Sequence, residues 1–69
     1  MRKKFTVKIR FDFGTDNIIY IFERECTDLD SMISYTYDWI KKYGDKFGVF
    51  TLFEVYEGID LVSVVFNDA

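Results

Sequence analysis

The sequence predicts an α+β fold in the order ββαββ, a four-stranded antiparallel sheet with one helix packed on one face. Three observations predict it. Residues 4–13 alternate strictly between polar and apolar side chains. Residues 27–44 carry both a helix start signal and a helix stop signal. Two further β-rich runs follow, parted by Gly58. With 69 residues and no internal linker or low-complexity segment, the chain is a single α+β domain over residues 1–69.

The first strand is "KFTVKIRFDF". Phe5, Val7, Ile9, Phe11 and Phe13 fall on one side, and Lys4, Thr6, Lys8, Arg10 and Asp12 on the other. This period of two places an apolar face against a core and a polar face away from it. "GTDN" (residues 14–17) is a turn signal, and "IIYIFERE" (residues 18–25) returns as the second strand.

The helix is predicted over residues 28–43. Thr27 is the expected N-cap, Thr27-x-x-Asp30 approximates a capping box, and Asp28 and Asp30 sit where the helix dipole favours carboxylates. Lys41 and Lys42 fall in the last turn, and Gly44 is the expected left-handed stop. At about 100° per residue, Leu29, Ile33, Thr36, Ile40 and Tyr43 share the face expected on the sheet. Met32 and Trp39 lie along one flank with Tyr35 beyond them, and Tyr37 lies on the other. The apolar arc covers roughly 200°, about twice what a core stripe needs, so part of this aromatic surface is expected at the protein surface.

"VFTLFEVYE" (residues 49–57) is the third strand and "DLVSVVFN" (residues 60–67) the fourth. Alternation sets Val49, Thr51, Phe53 and Val55 against Phe50, Leu52 and Tyr56. It also sets Val62, Val64 and Phe66 against Leu61 and Val65. On the second strand, Ile19 and Ile21 oppose Ile18, Tyr20 and Phe22. One helix covers one face, yet three of the four strands are apolar on both. A homodimer packed sheet on sheet is the expected solution, and it also relieves the difficulty so short a chain has in burying enough surface.

Composition narrows the function. At 49% hydrophobic and 20% aromatic the chain is built for a dense core, not for disorder. Cys26 is the lone cysteine, which excludes an intrachain disulfide and suits a reducing compartment, so a cytoplasmic location is expected. Lys8 and Arg10 interrupt the apolar stretch that a secretory signal would need, and no apolar run approaches a bilayer-spanning length. Without histidine there is no Ser–His or Cys–His nucleophilic pair, and one cysteine cannot build a zinc cluster. The four glycines are scattered at turns and form no phosphate loop. Helix capping accounts for the Asp28-x-Asp30 pair without a metal. The chain is therefore expected to be no enzyme, with no cofactor, metal or small-molecule substrate, and no membrane partner.

Charge points to the partner. Residues 1–10 hold five basic side chains and no acidic one, whereas residues 11–69 hold twelve acidic and four basic ones. Carboxylates arrayed on a small rigid body imitate nucleic-acid phosphates and fit a basic protein surface, with aromatic side chains as anchors beside them. Asp28, Asp30, Asp38, Tyr35, Tyr37, Trp39, Glu54 and Glu57 are the candidate partner-binding residues. The alternative is direct nucleic-acid contact through Lys4, Lys8 and Arg10 on the first strand, although cross-strand pairing with Glu23, Glu25, Glu54 or Glu57 is the favoured account of those cations. A third reading is an accessory subunit of a larger assembly.

A short, single-cysteine, acidic and aromatic-rich chain built from "KFTVKIRFDF", the capped helix "TDLDSMISYTYDWIKKYG" and two more strands resembles the small early proteins with which lytic bacteriophages take over a host. The likeness is one of size, composition and architecture. It implies a non-enzymatic inhibitor that binds one host protein in the host cytoplasm, often a DNA-binding or replication component, with several such proteins acting as DNA mimics.

Overall fold

The computed structural model describes residues 2–67. Its elements are β1 (Lys3–Phe13), β2 (Asp16–Cys26), α1 (Leu29–Tyr43), a 3₁₀ turn (Gly44–Lys46), β3 (Val49–Glu57) and β4 (Asp60–Phe66). The strands form one antiparallel sheet in the order β2-β1-β3-β4. The α+β, ββαββ architecture is therefore as the sequence predicts. Because β2 and β3 flank β1, α1 must pass over β1 to join them. That explains why the inner face of β1 is the most deeply buried part of the chain: Phe5, Val7, Ile9 and Phe11 are all closed to solvent. Phe53 and Val55 of β3 complete that row, opposite Ile9 and Val7. Each such side chain contributes about 1.5–3 kcal/mol by leaving water.

Both hairpins turn on two residues. Phe13 pairs with Asp16 around Gly14-Thr15, and Glu57 with Asp60 around Gly58-Ile59. Gly14 and Gly58 hold φ of 66° and 65° in the first central position, as a type II′ turn requires.

The helix differs in detail from expectation. Its N-cap is Asp28, not Thr27: the Asp28 carboxylate accepts from the Ser31 backbone N–H at 2.8 Å. Both are good capping residues, and one residue of slippage decides between them. Gly44 is not a left-handed stop but right-handed, at φ −64°, and leads into the 3₁₀ turn. The left-handed glycine is Gly48, four residues on. The buried stripe is also rotated towards the Met32 side. Met32 and Thr36 are fully buried, Leu29, Ile33, Trp39 and Ile40 half-buried, and Tyr43 exposed. Thr36 tolerates this because its hydroxyl donates to the Met32 carbonyl at 2.8 Å. Beside it, the Cys26 thiol lies 3.5 Å from the Met32 sulfur.

Two bulges redirect side chains that strict alternation misassigns. The β1–β3 register shifts between Arg10 and Phe11, so Phe50 faces Phe11 on the helix side and stacks on Phe53 at 5.6 Å. Phe50 is thus core-facing, not a companion of Leu52 and Tyr56. Thr51, expected beside Phe53, instead donates its hydroxyl to Asp12, which lies on the polar face of β1. The β3–β4 register shifts between Val55 and Tyr56, which puts Leu61 opposite Tyr56 and on the same face as Val64 and Phe66. Val65 stays on the helix side, opposite Phe53. One extra residue in a strand reverses the alternation beyond it.

Candidate functional site

Two surfaces stand out, one on each side of the sheet. On the helix side, Trp39 is the centre of an aromatic cluster that covers edge strand β2. Its ring stacks on Tyr20 at 4.7 Å and lies 5.9 Å from Phe22, 5.6 Å from Tyr43 and 6.0 Å from Phe47. Tyr35 meets Phe22 edge-on at 5.9 Å and is capped on its face by the Arg24 guanidinium at 4.0 Å, a cation–π contact. Tyr37 takes the opposite flank, edge-on to Phe53 at 5.4 Å and Phe50 at 6.4 Å.

Between these rings the surface is grooved. Tyr35, Asp38, Trp39, Lys42 and Tyr43 line a shallow groove of about 270 Å³. A neighbouring one of about 400 Å³ shares Tyr35, Trp39 and Tyr43 and ends on Tyr20, Lys46 and Phe47. The helix therefore brings Tyr35, Asp38 and Trp39 together, at spacings of three and four residues that place them on one surface. Asp30 is exposed within the first helical turn, two residues past the cap, without an ion pair among the described residues.

The remaining candidates are elsewhere. Asp28 is engaged by its own helix. Its carboxyl is held below the ordinary value of 3.8, first by the Ser31 backbone N–H, then by the Ser31 side chain, and least by the charge of Lys3. Glu57 lies at the far end of β3, 4.0 Å from the Lys3 ammonium. Glu54 projects from the other face of the sheet.

The Asp28 geometry makes a pH prediction. A carboxylate whose pKa is lowered on folding adds stability above its unfolded value, and that contribution fades as pH falls through the folded one. Asp28→Asn keeps an oxygen to accept the Ser31 N–H but lacks the charge. Urea melts should find it less stable than wild type at neutral pH, with the gap closing well below pH 3.8. A gap independent of pH would mean that the charge contributes nothing at this cap.

The open sheet face carries the second surface. Lys4, Lys8 and Arg10 all project there from β1. Lys4 is paired with Glu23 at 3.1 Å, whereas Lys8 and Arg10 have no ion pair among the described residues. Around them lie Ile19 and Ile21 of β2, Leu52 of β3, and Leu61, Val64 and Phe66 of β4. All are exposed except half-buried Leu52. Lys8, Arg10, Ile19, Leu52 and Glu54 line a small depression of about 140 Å³.

Sequence reasoning missed Tyr20, Lys42, Tyr43, Lys46 and Phe47 as groove residues. Tyr20 was traceable by its alternation with Ile18 and Phe22. Phe47 was not, because its position depends on the 3₁₀ turn. Among the described residues no group of His, Cys, Asp or Glu is placed to hold a metal ion, and no helix is long and apolar enough to cross a membrane. No protein-family model matches the chain, and neither does any curated protein or solved structure compared with it.

Proposed function

We propose that the chain is a non-enzymatic protein-binding inhibitor whose working surface is the exposed side of α1, and that its partner is a basic, DNA-binding host protein. The observation that carries this reading is the groove lined by Tyr35, Asp38, Trp39, Lys42 and Tyr43, in which a carboxylate lies among three aromatic rings with one lysine beside them. A carboxylate beside aromatic faces suits an arginine side chain: the guanidinium is planar, stacks on rings and pairs with the carboxylate. Asp30, further along the helix, extends the negative surface towards other cations of the same partner. Occupying arginines that otherwise hold phosphates would block nucleic-acid binding, the mode of action that the likeness to early phage proteins implies.

The test is capture of partners from nuclease-treated bacterial lysate, with duplex DNA as competitor. Asp30→Lys combined with Asp38→Lys alters two exposed residues and leaves the Asp28 cap intact. It should lower capture of a basic DNA-binding protein by at least about tenfold, as expected when close charge pairs at an interface are reversed. Wild-type capture should be displaced by DNA. If capture is unaffected by the charge reversal, the reading is wrong.

A second reading has its own observation, since Lys8 and Arg10 lie on the open sheet face with no ion pair among the described residues. If they contact phosphates, the chain itself shifts DNA or RNA in a gel, and replacing Lys4, Lys8 and Arg10 with alanine abolishes the shift. That result would transfer the function to the sheet.

A further inference from the structure

The open sheet face has a pattern that becomes visible only once the register is known. Two rows of side chains cross all four strands. One runs Ile21, Lys8, Glu54, Val64, and the next Ile19, Arg10, Leu52, Phe66. Both are apolar at the two ends. In the first, a cation and a carboxylate occupy the middle, side by side on β1 and β3, and yet Lys8 and Glu54 form no ion pair within the chain.

We propose that this face is the interface of a homodimer, in which two copies pack sheet on sheet about a twofold axis parallel to the strands and midway between β1 and β3. The inference stands apart from the choice of partner for the helix. Rotation about that axis exchanges the two sides of the sheet and preserves position along the strands. It places β1 of one copy over β3 of the other, and β2 over β4. Lys8 then meets Glu54 of the second copy, and Glu54 meets its Lys8. Ile21 covers Val64, and Ile19 covers Phe66, each contact occurring twice. Arg10 lays its aliphatic stem on Leu52 of the second copy, with its guanidinium towards Glu54 one row away.

Charge selects this axis over the other aligned arrangement. A twofold axis perpendicular to the strands would lay β1 on its own copy, bringing the column Lys4, Lys8, Arg10 against an identical column of cations. Like charges meeting there penalise that packing, while the parallel axis gives an alternating ring of two lysines and two glutamates. Aligned sheets cross at about 30°, so rows diverge away from the axis. Lys8 and Glu54 flank the axis, where the divergence is least.

The area is adequate. Four strands about 4.8 Å apart, over about seven residues at 3.4 Å each, give a flat footprint of roughly 450 Å² per copy. Protruding side chains enlarge it, bringing the total to the roughly 1,000 Å² that a specific interface needs. The exposed Ile21 and Phe66, each 59% accessible in the single chain, supply the apolar part.

Sedimentation of the full chain at micromolar concentration should give twice the 8.3 kDa chain mass. Lys8→Glu and Glu54→Lys, each made alone, set like charges against each other and should raise the dimer dissociation constant by at least about tenfold. Circular dichroism establishes that each variant is folded. An equimolar mixture of the two, and the double variant K8E/E54K alone, should both restore the dimer. The double variant separates the axes, because under the perpendicular axis it would still set like against like. A wild-type monomer would overturn the proposal and leave the face to a different protein. So would a dimer that both single variants leave intact, or a double variant that stays monomeric.

Discussion

Phe53→Ala is expected to leave the chain largely unfolded at room temperature. Phe53 is fully buried on β3, between Ile9 of β1 and Val65 of β4, with Phe50 and Tyr37 against its ring. Removing a buried phenyl ring costs about 3–5 kcal/mol, because the transfer free energy is lost and the cavity closes only in part. A single core in a chain of this length rarely supplies more than about 3–5 kcal/mol in total. The two magnitudes are equal, so no margin is left. The lone tryptophan is a convenient reporter: Trp39 is stacked on Tyr20 only while α1 is docked. Its fluorescence in Phe53→Ala should match the urea-unfolded wild type before any urea is added. Ile59→Ala provides the contrast. Ile59 is 97% exposed in the β3–β4 turn, and its loss should change stability by no more than about 0.5 kcal/mol. A folded Phe53→Ala with a cooperative melt would mean that the core tolerates collapse around β3 far better than its packing implies.

What the sequence made legible follows from which physical signals are periodic. The first strand repeats polar and apolar residues without a fault from Lys4 to Asp12, and all of its inner residues from Phe5 to Phe11 are buried as the pattern demands. On β2, Tyr20 and Phe22 turn to the helix and Ile19 and Ile21 away from it, again as alternation requires. The pattern fails on β3 and β4, where a bulge inserts one residue. Thr51 and Leu52 both suit a strand, so nothing in their identities marks where the register slips. Phe50 and Leu61 were misplaced for that reason alone. The helix ends failed for a different one. Thr27 and Asp28 are both competent caps, and Gly44 and Gly48 both competent stops. Local propensity cannot choose between neighbours of the same kind.

The candidate site divides along the same line. Helical spacing brought Tyr35, Asp38 and Trp39 to one surface, and that much was legible. Glu54, grouped with them by charge, projects from the opposite side of the sheet. It lies between Phe53 and Val55, both buried against the helix, so alternation already assigned it to the far face. Charge composition sums over surfaces that geometry keeps apart. Cross-strand glutamates, Glu54 among them, are expected beside the cations of β1, but the specific placement of Glu54 opposite Lys8 is not legible in the sequence. It depends on β3 lying next to β1, a fact of topology that no local pattern encodes.

Gly48→Ala is the second substitution expected to have a large effect, and it tests how closely β3 begins against β1. Gly48 has φ of 106°, a conformation that side chains with a Cβ rarely adopt. A Cβ added there would lie 2.3 Å from the Asp12 carbonyl oxygen and 2.9 Å from its carbon. Both are backbone atoms of a central strand and cannot swing aside. Strain at such a φ costs about 1–3 kcal/mol, and displacing β1 from β3 adds to it by opening the row in which Phe11 faces Phe50. The sum should reach at least about 3 kcal/mol, comparable with the whole stability expected for a chain of this length. Gly14→Ala separates the two contributions. Gly14 also has positive φ, at 66°, but nothing lies within 4 Å of an added Cβ, so only strain remains. Urea melts followed by Trp39 fluorescence should show a loss of about 1–2 kcal/mol for Gly14→Ala and a much larger one for Gly48→Ala. Equal losses would mean that the chain at Gly48 moves away from Asp12 at little cost, and that the start of β3 is not pinned against β1.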